Sequence, residues 1–487
     1  MTRNPSLTPA IALSAGIATS YALSLQWWCG FMPIILAIGI YIAILMKSGN
    51  PVMAYRLGKW HTAWTAILFL GIGIIDESMS RPTAIPSPQP DKVECEVTGI
   101  LSKTYGDRLD LLIKGTNGAK AQIRTGVTVL DIGDIVEIPT RRLVETDKDT
   151  SSFGRRSAPM LKAKGVMYTG RIPVREIVAK GHSGSLRYQV SDLREHIETE
   201  IERSSLDKPA SDFLNAILMG DKTGLDDSVR ITFANGGTAH MLALSGLHMG
   251  ILAALLLWMM FPFRAAGKYK WGYGVAIIVL WAYVVVTGMS PSSVRACIMI
   301  TFAFTAVIAE RKNSIPSALA SACLLILLFS PATLFDAGFQ LSVICVAALT
   351  AFTTQLNPID HRSHPRLFKI CEALLVTMIA TAASWALISF YFGQIPLMFL
   401  PANLLLLPLL PAYLGAAAIY TTLLCAGWDF MPLALFLNHG YEFLIWATET
   451  LSGESQFVVE YQLPWWGVAG WVAALSAAAI ALNRKEA

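Results

Sequence analysis

Charge falls along this 487-residue chain in three blocks. Asp, Glu, Lys and Arg concentrate between Asp76 and Arg203, and the stretches on either side are nearly continuous apolar runs. An apolar run of about 20 residues crosses a bilayer as a helix, because only an internally hydrogen-bonded backbone survives in hydrocarbon. The pattern therefore dictates a membrane region, a soluble insert and a second, larger membrane region. The hydrophobic share of 54% and charged share of 15% agree, since soluble domains carry roughly 25% charged residues.

Three spans are expected before the insert, at Leu7–Leu25, Phe31–Met46 and Trp60–Ile75. Lys47, Arg56 and Lys59 lie between the second and third, and short basic loops stay cytoplasmic. The N-terminus is then inside and the insert emerges outside. Spans of the larger region are expected at His240–Phe261, Trp271–Thr287, Val294–Ala309, Ile315–Ser330, Phe339–Thr354 and Ile370–Phe392. Three more follow at Leu397–Gly427, Pro432–Leu451 and Trp465–Leu482. Basic loops at Arg264–Lys270, Glu310–Asn313 and His361–Lys369 give the same orientation and place the C-terminus inside. The seventh span of this region holds Pro401, Pro408 and Pro411 around Asn403. Proline removes a backbone donor, so a broken or re-entrant helix is expected there, lining protein or a wet cavity.

The insert reads as β-structure, with strands at Val93–Ser102, Arg108–Lys114, Ala119–Thr125, Ile135–Ile138 and Gly165–Arg171. Five short strands in so small a domain suit an OB-like barrel. An amphipathic helix follows, with Leu186, Val190, Leu193, Ile197 and Ile201 at helical spacing, then a second helix ending at Gly220-Asp221. The expected fold class is a polytopic α-helical membrane protein of about twelve spans, one broken or re-entrant, with a small exported β-barrel. Its parts are residues 1–75 (N-terminal helices), 76–180 (β-domain), 181–235 (juxtamembrane helices) and 236–487 (the main membrane domain).

Chemistry-bearing residues are few. The net charge of +4 does not announce a nucleic-acid binder, but Lys and Arg outnumber Asp and Glu between Arg141 and Arg187, a local bias that attracts phosphate. The seven Cys form no CxxC pair, so neither a metal site nor a disulfide framework is expected, and no cofactor motif is present. His240, Ser245 and His248 open an otherwise apolar span, with Gly246 and Gly250 spaced for close helix approach. Polar groups at membrane depth are costly and usually face a bundle interior or an aqueous path. In the bland alternative Ser245 bonds its own i−4 carbonyl and His248 sits at the interface. Arg295 enters the first turn of its span, where a cation opposes the helix dipole. Asp336 stands at an N-cap position, and Gln340 follows it into the next span.

The run His240-Met241-Leu242-Ala243-Leu244-Ser245-Gly246-Leu247-His248 resembles the signature of the ComEC family of competence proteins. Gly220-Asp221, Pro291-Ser292-Ser293-Val294-Arg295-Ala296 and Gly338-Phe339-Gln340-Leu341-Ser342 resemble its other recurrent blocks, in the same order. The resemblance implies an inner-membrane channel that passes single-stranded DNA to the cytoplasm, working with an outer-side DNA receptor and a cytoplasmic helicase-like ATPase. The chain has no P-loop of its own. It also lacks an HxHxDH cluster, so the nuclease domain of many members is not carried over. The resemblance places His240, Ser245, Gly246, His248, Arg295 and Gln340 along the channel, and Asp336 and Asn403 are read with them as candidate channel residues. OB-like domains bind single strands through basic grooves and stacked aromatics. Lys103, Arg108, Arg124, Arg141 and Arg142 are the candidate phosphate contacts, and Tyr105 and Tyr168 the candidate stacking residues. Two other classes stay open: a small-solute or lipid transporter built around the broken helix, and an intramembrane hydrolase with Ser245 as nucleophile.

Overall fold

The computed structural model describes residues 7–38, 61–81, 85, 90–101, 108–116, 119–126, 130, 132–146, 161, 166–182, 186–242, 244–310, 315–356, 365–452 and 458–484. In chain order the helices begin with α1 (Leu7–Leu23) and α2 (His61–Ser80). Strands β1 (Lys92–Leu101), β2 (Arg108–Ile113), β3 (Lys120–Arg124), β4 (Asp134–Pro139), β5 (Leu143–Glu145), β6 (Val166–Arg171) and β7 (Val178–His182) follow. Then come α3 (Leu186–Arg203), α4 (Lys208–Leu214), α5 (Asp227–Asn235), α6 (Gly246–Met259), α7 (Phe261–Ala265), α8 (Tyr269–Val286), α9 (Pro291–Ile308) and α10 (Ile315–Phe329). The chain continues through α11 (Ala337–Leu356), α12 (Pro365–Phe392), β8 (Gln394–Pro396), α13 (Phe399–Leu406) and α14 (Leu410–Cys425). It closes with α15 (Met431–Ser452), β9 (Val458–Glu460) and α16 (Trp465–Arg484).

Among the described residues, four helical stretches are long and apolar enough to cross a membrane: Tyr269–Val286, Pro291–Ile308, Leu374–Phe392 and Trp465–Leu482. Shorter apolar helices occupy Leu7–Leu23, Trp28–Ile38, Gly246–Met259, Pro316–Phe329, Ala337–Thr353 and Leu410–Cys425. The chain divides into two compact units, Met1–Gln189 with Pro316–Phe339, and Val190–Ile315 with Gln340–Ala487.

In the first unit, α1 and α2 pack backbone to backbone. A Cβ on Gly16 would overlap the Leu70 carbonyl, and one on Gly73 the Leu13 carbonyl oxygen. Only glycine allows that approach. Beyond the crossing, Glu77 is 6% exposed and accepts from Arg81 Nε at 2.9 Å and from Ser20 Oγ at 2.6 Å. Arg81 Nη2 also donates to the Ser20 carbonyl at 2.7 Å, so the charge that α2 carries into the hairpin is compensated.

The insert is a seven-stranded sheet in the order β5-β6-β3-β2-β1-β4-β7. All five expected strands are present, and the alternation of buried and half-buried residues along Arg108–Ile113 is the period-2 pattern that gives such a strand away. Two strands were not expected. Leu143–Glu145 has three residues, and Val178–His182 lies at an edge. No pairing between the edge strands β5 and β7 closes the sheet into a barrel among the described residues. The inner face carries Cys95, Val97, Leu109, Leu111, Ile123, Val136, Ile138 and Tyr168. Tyr168, a candidate stacking residue, belongs to this core: it is 3% exposed and its hydroxyl accepts from the Ile85 N–H at 2.9 Å. Cys95 is fully buried, and burial pushes its thiol up to about 12.

The second unit is built around Phe213, Leu214, Ile217, Phe233, Leu410, Tyr413, Tyr420, Leu437 and Leu444. The amphipathic helix appears as expected, as α3, with Ile201 buried and Ile197 packed on this core. An unforeseen polar latch ties the α3–α4 connection to the α14–α15 turn. Ser205 donates from its backbone N–H (2.8 Å) and its hydroxyl to Asp429 Oδ2, and the Tyr420 hydroxyl donates to Oδ1 at 2.7 Å. The proline-rich span is two helices, α13 and α14, separated at Leu407-Pro408-Leu409. Its broken backbone therefore matches the expectation from Pro408.

Candidate functional site: an interrupted, polar helix start

The signature segment does not enter its span as one helix. Ala239–Leu242 forms a single 3₁₀ turn, and α6 begins only at Gly246. The expected helix over His240–Phe261 is thus shortened at its start, because Ser245 is extended, at φ −121° and ψ 170°. Ser245 holds the N-cap position, yet its side chain makes no cap hydrogen bond. Its Oγ instead meets His248 Nδ1 at 2.8 Å. The bland account fails for Ser245, which does not bond an i−4 carbonyl, and His248 is buried, at 1% exposed.

His248 Nε2 is buried and has no hydrogen-bond partner among the described residues. A buried, unsatisfied polar atom costs on the order of 1–3 kcal/mol, and is expected where a site awaits a ligand or water. If Ser245 donates to Nδ1, the neutral ring carries its proton on Nε2 and offers one donor. The helix start adds unpaired backbone N–H groups and the positive end of its dipole.

Three of the family-like blocks meet here. Asn215–Met219 is one turn of π-helix, a form that gathers at functional sites. It ends at Gly220, whose φ of +78° suits glycine, and a Cβ there would lie 2.6 Å from Leu244 Cδ1. The Tyr283 hydroxyl donates to the Leu218 carbonyl at 2.6 Å and ties α8 to that turn. Gly246 faces Ala296 of α9, with 3.8 Å from its ideal Cβ to the Ala296 Cβ. One residue before Ala296, Arg295 is 5% exposed. On the other flank the His240 ring lies 6.1 Å, centroid to centroid, from Phe399 of α13. His240 itself is exposed.

The remaining candidates are dispersed. Asn403 is 1% exposed and donates from Nδ2 to the Phe399 carbonyl at 2.7 Å, within its own helix. Its Oδ1 has no hydrogen-bond partner among the described residues. Gln340 accepts from the Tyr391 hydroxyl at 3.0 Å. Asp336 belongs to the first unit and caps α11, accepting from the Phe339 N–H at 3.1 Å.

In the sheet domain, Lys103 and Tyr105 lie outside the described residues. Arg142 is held by Glu176 at 2.8 and 3.1 Å, and Arg141 approaches the same carboxylate at 3.9 Å. The Arg142 hydrogen bond holds the Glu176 carboxyl below its usual range. Arg108 is half-buried and Arg124 exposed. Sequence reasoning missed Asn215, buried with an Oδ1 that has no hydrogen-bond partner among the described residues. It had one usable signal, the Gly220-Asp221 stop just downstream. No group of three or more His, Cys, Asp or Glu among the described residues is arranged to hold a metal ion.

A Ser–His contact is also the beginning of a nucleophilic site. Such a site needs a third group to orient the base, and the free ring nitrogen of His248 has no carboxylate on it among the described residues.

Comparison with known proteins places these elements. The competence protein family matches residues 217–485, from the π-turn through α16. ComE operon protein 3 of Bacillus subtilis (strain 168) is 28% identical over 224 residues, covering 46% of this chain. The matched region spans 28% of that relative's length. No solved structure matches.

Proposed function

Since the chain belongs to the ComEC family of competence proteins, we propose that it passes a single DNA strand through the inner membrane into the cytoplasm during transformation. The observation that carries this reading is the uncapped start of α6. Ser245 turns away from the helix N-terminus to His248, whose buried Nε2 has no hydrogen-bond partner among the described residues. A phosphodiester crossing hydrocarbon needs donors and positive ends in a place water can reach. Backbone N–H groups, the His248 ring and Arg295 on the adjoining helix supply them, and anions bind helix N-termini for the same reason. In this reading Ser245 is a positioning residue for His248. His240, Gly246 and Asn403 line the same path.

Around this centre the protein has about twelve spans, with both termini cytoplasmic and the β-domain on the outer side. The domain is OB-like. In support, β4 runs through the turn Thr140–Arg142 into β5, so one bent segment borders β1 at one end and β6 at the other. The channel is not an enzyme. It receives DNA from an outer-side receptor, and a cytoplasmic helicase-like ATPase pulls the strand through.

The test is uptake of labelled DNA by a deletion strain of a transformable host complemented with this chain. Label that reaches the cytoplasm as single strands is the expected result. Label that stays outside the inner membrane, with the protein abundant there and the other uptake components intact, would favour the small-solute transporter instead.

A further inference from the structure

Three helix ends meet at one level in the second unit, and the surface they share combines rings with positive charge. The helix α6 breaks at Met260, Pro262 opens α7, and a Cβ on Gly272 would lie 3.2 Å from Met260 Cβ and 3.6 Å from Phe263 Cβ. The five-residue α7 is therefore folded back on the start of α8. Lys270 at that start pairs with Glu310, just past the end of α9, at 2.6 Å, and the Tyr269 hydroxyl donates to the same carboxylate at 3.4 Å. One turn deeper, Tyr273 and Phe304 pack edge to face at 5.0 Å, so α8 and α9 hold the turn on a fixed base.

Every residue from Phe261 to Lys268 is exposed, and Trp258, Phe261 and Trp271 are 73%, 64% and 70% exposed. A group of open rings marks a surface with a partner, and Trp in particular settles at the headgroup level of a bilayer. Among these rings stand Arg264, Lys268 and Lys270. From Ser228 to Ala309 the chain has neither Asp nor Glu, and Glu310 is committed to Lys270. Arg264 and Lys268 thus have no carboxylate partner among the described residues. Such side chains lay their apolar stems along rings and carry the charge out to a phosphate.

We propose that the α6–α8 turn is a binding site for the headgroup of an anionic phospholipid in the cytoplasmic leaflet. Arg264 and Lys268 hold the headgroup phosphate, and Trp258, Phe261 and Trp271 lie among the glycerol backbones and upper acyl chains. The choice of leaflet rests on the inward orientation of this turn, which belongs to the channel reading. Position favours lipid over nucleic acid. The rings flank α8, one of the stretches long and apolar enough to cross a membrane, so acyl chains reach them where bases do not. Charge complementarity then selects an anionic headgroup over a zwitterionic one.

The test is equilibrium binding of a fluorescent phosphatidylglycerol to the full chain in mild detergent, with fluorescent phosphatidylcholine alongside. Wild type is expected to prefer phosphatidylglycerol by roughly twentyfold, the combined effect of two basic residues at an anionic surface. Arg264→Gln and Lys268→Gln should each weaken phosphatidylglycerol about fivefold and leave phosphatidylcholine unchanged, and the double variant should lose the preference. Trp258→Ala with Trp271→Ala should weaken both lipids alike. Lys208→Gln, at a lysine paired with Asp212 and Glu202 at 3.0 and 3.4 Å, should change neither. A preference retained by the Arg264→Gln/Lys268→Gln variant at wild-type thermal stability would overturn the site. Glycerol phosphate competing as well as the lipid would make it a free-phosphate site, and an oligothymidylate competing as well would make it a nucleic-acid site. Either result overturns the proposal. Lipid binding is measured without DNA, so its failure leaves the channel reading standing, and failed DNA import leaves the headgroup site standing.

Discussion

Leucine at Gly73 is expected to remove most of the protein from the membrane fraction. The α1–α2 crossing brings main chain against main chain, and a Cβ at position 73 would overlap the Leu13 carbonyl oxygen. A backbone atom cannot rotate away as a flexible side chain can, so the helices must separate along the crossing. Overpacking costs typically ~1–3 kcal/mol, and this site belongs at the upper end or beyond it because α1 and α2 must move as units. Separation would also pull Ser20 away from Glu77 and Arg81, leaving a buried carboxylate with one partner fewer. Gly16→Leu, against the Leu70 carbonyl, should behave alike. Gly274→Leu is the control, since nothing lies within 4 Å of a Cβ there. The measurement is abundance in the membrane fraction with thermal unfolding in detergent. Wild-type stability for Gly73→Leu would refute the close crossing.

His248→Ala is expected to cut DNA import by about 10- to 100-fold in a normally abundant protein. A hydrogen bond to a charged group is worth ~1.5–3 kcal/mol, and each 1.4 kcal/mol is a factor of ten. Ser245→Ala should cost less, about 2- to 10-fold, because it removes only the 2.8 Å bond that sets the ring and a neutral hydrogen bond contributes ~0.5–1.5 kcal/mol. The ratio separates channel from hydrolase. Nucleophile and base act as a unit, so in a hydrolase losing either costs about as much as losing both. Equal, near-complete losses together with labelling of Ser245 by a serine-reactive probe would overturn the positioning role.

Much of the architecture was legible from one-dimensional periodicity. Alternation exposed β1 to β4 and β6, and Pro408 marked the break between α13 and α14. Strands β5 and β7 escaped because three residues carry almost no period, and because β7 presents an exposed surface. The late start of α6 escaped for a different reason. Leu242 and Leu244 continue the apolar run through the 3₁₀ turn, so hydropathy cannot see that the backbone is extended at Ser245. Site residues divide in the same way. His248 was legible as a polar residue in an apolar run, but its bond to Ser245 and its burial depend on packing. The adjacency of Arg171 to Arg124 was invisible, because only the parallel pairing of β3 with β6 puts the two side by side. Arg142 was read as a phosphate contact, yet Glu176, 34 positions away, already holds it.

The central claim is that a DNA strand passes the start of α6. A photo-crosslinking amino acid at Leu247, beside His248, tests it in cells importing labelled DNA, with the same group at Ile278, 71% exposed on α8, as the comparison. The account predicts a DNA adduct at position 247 that forms only during uptake, and none at 278. Import at the wild-type rate with no adduct at 247, or adducts at 278 alone, would contradict it.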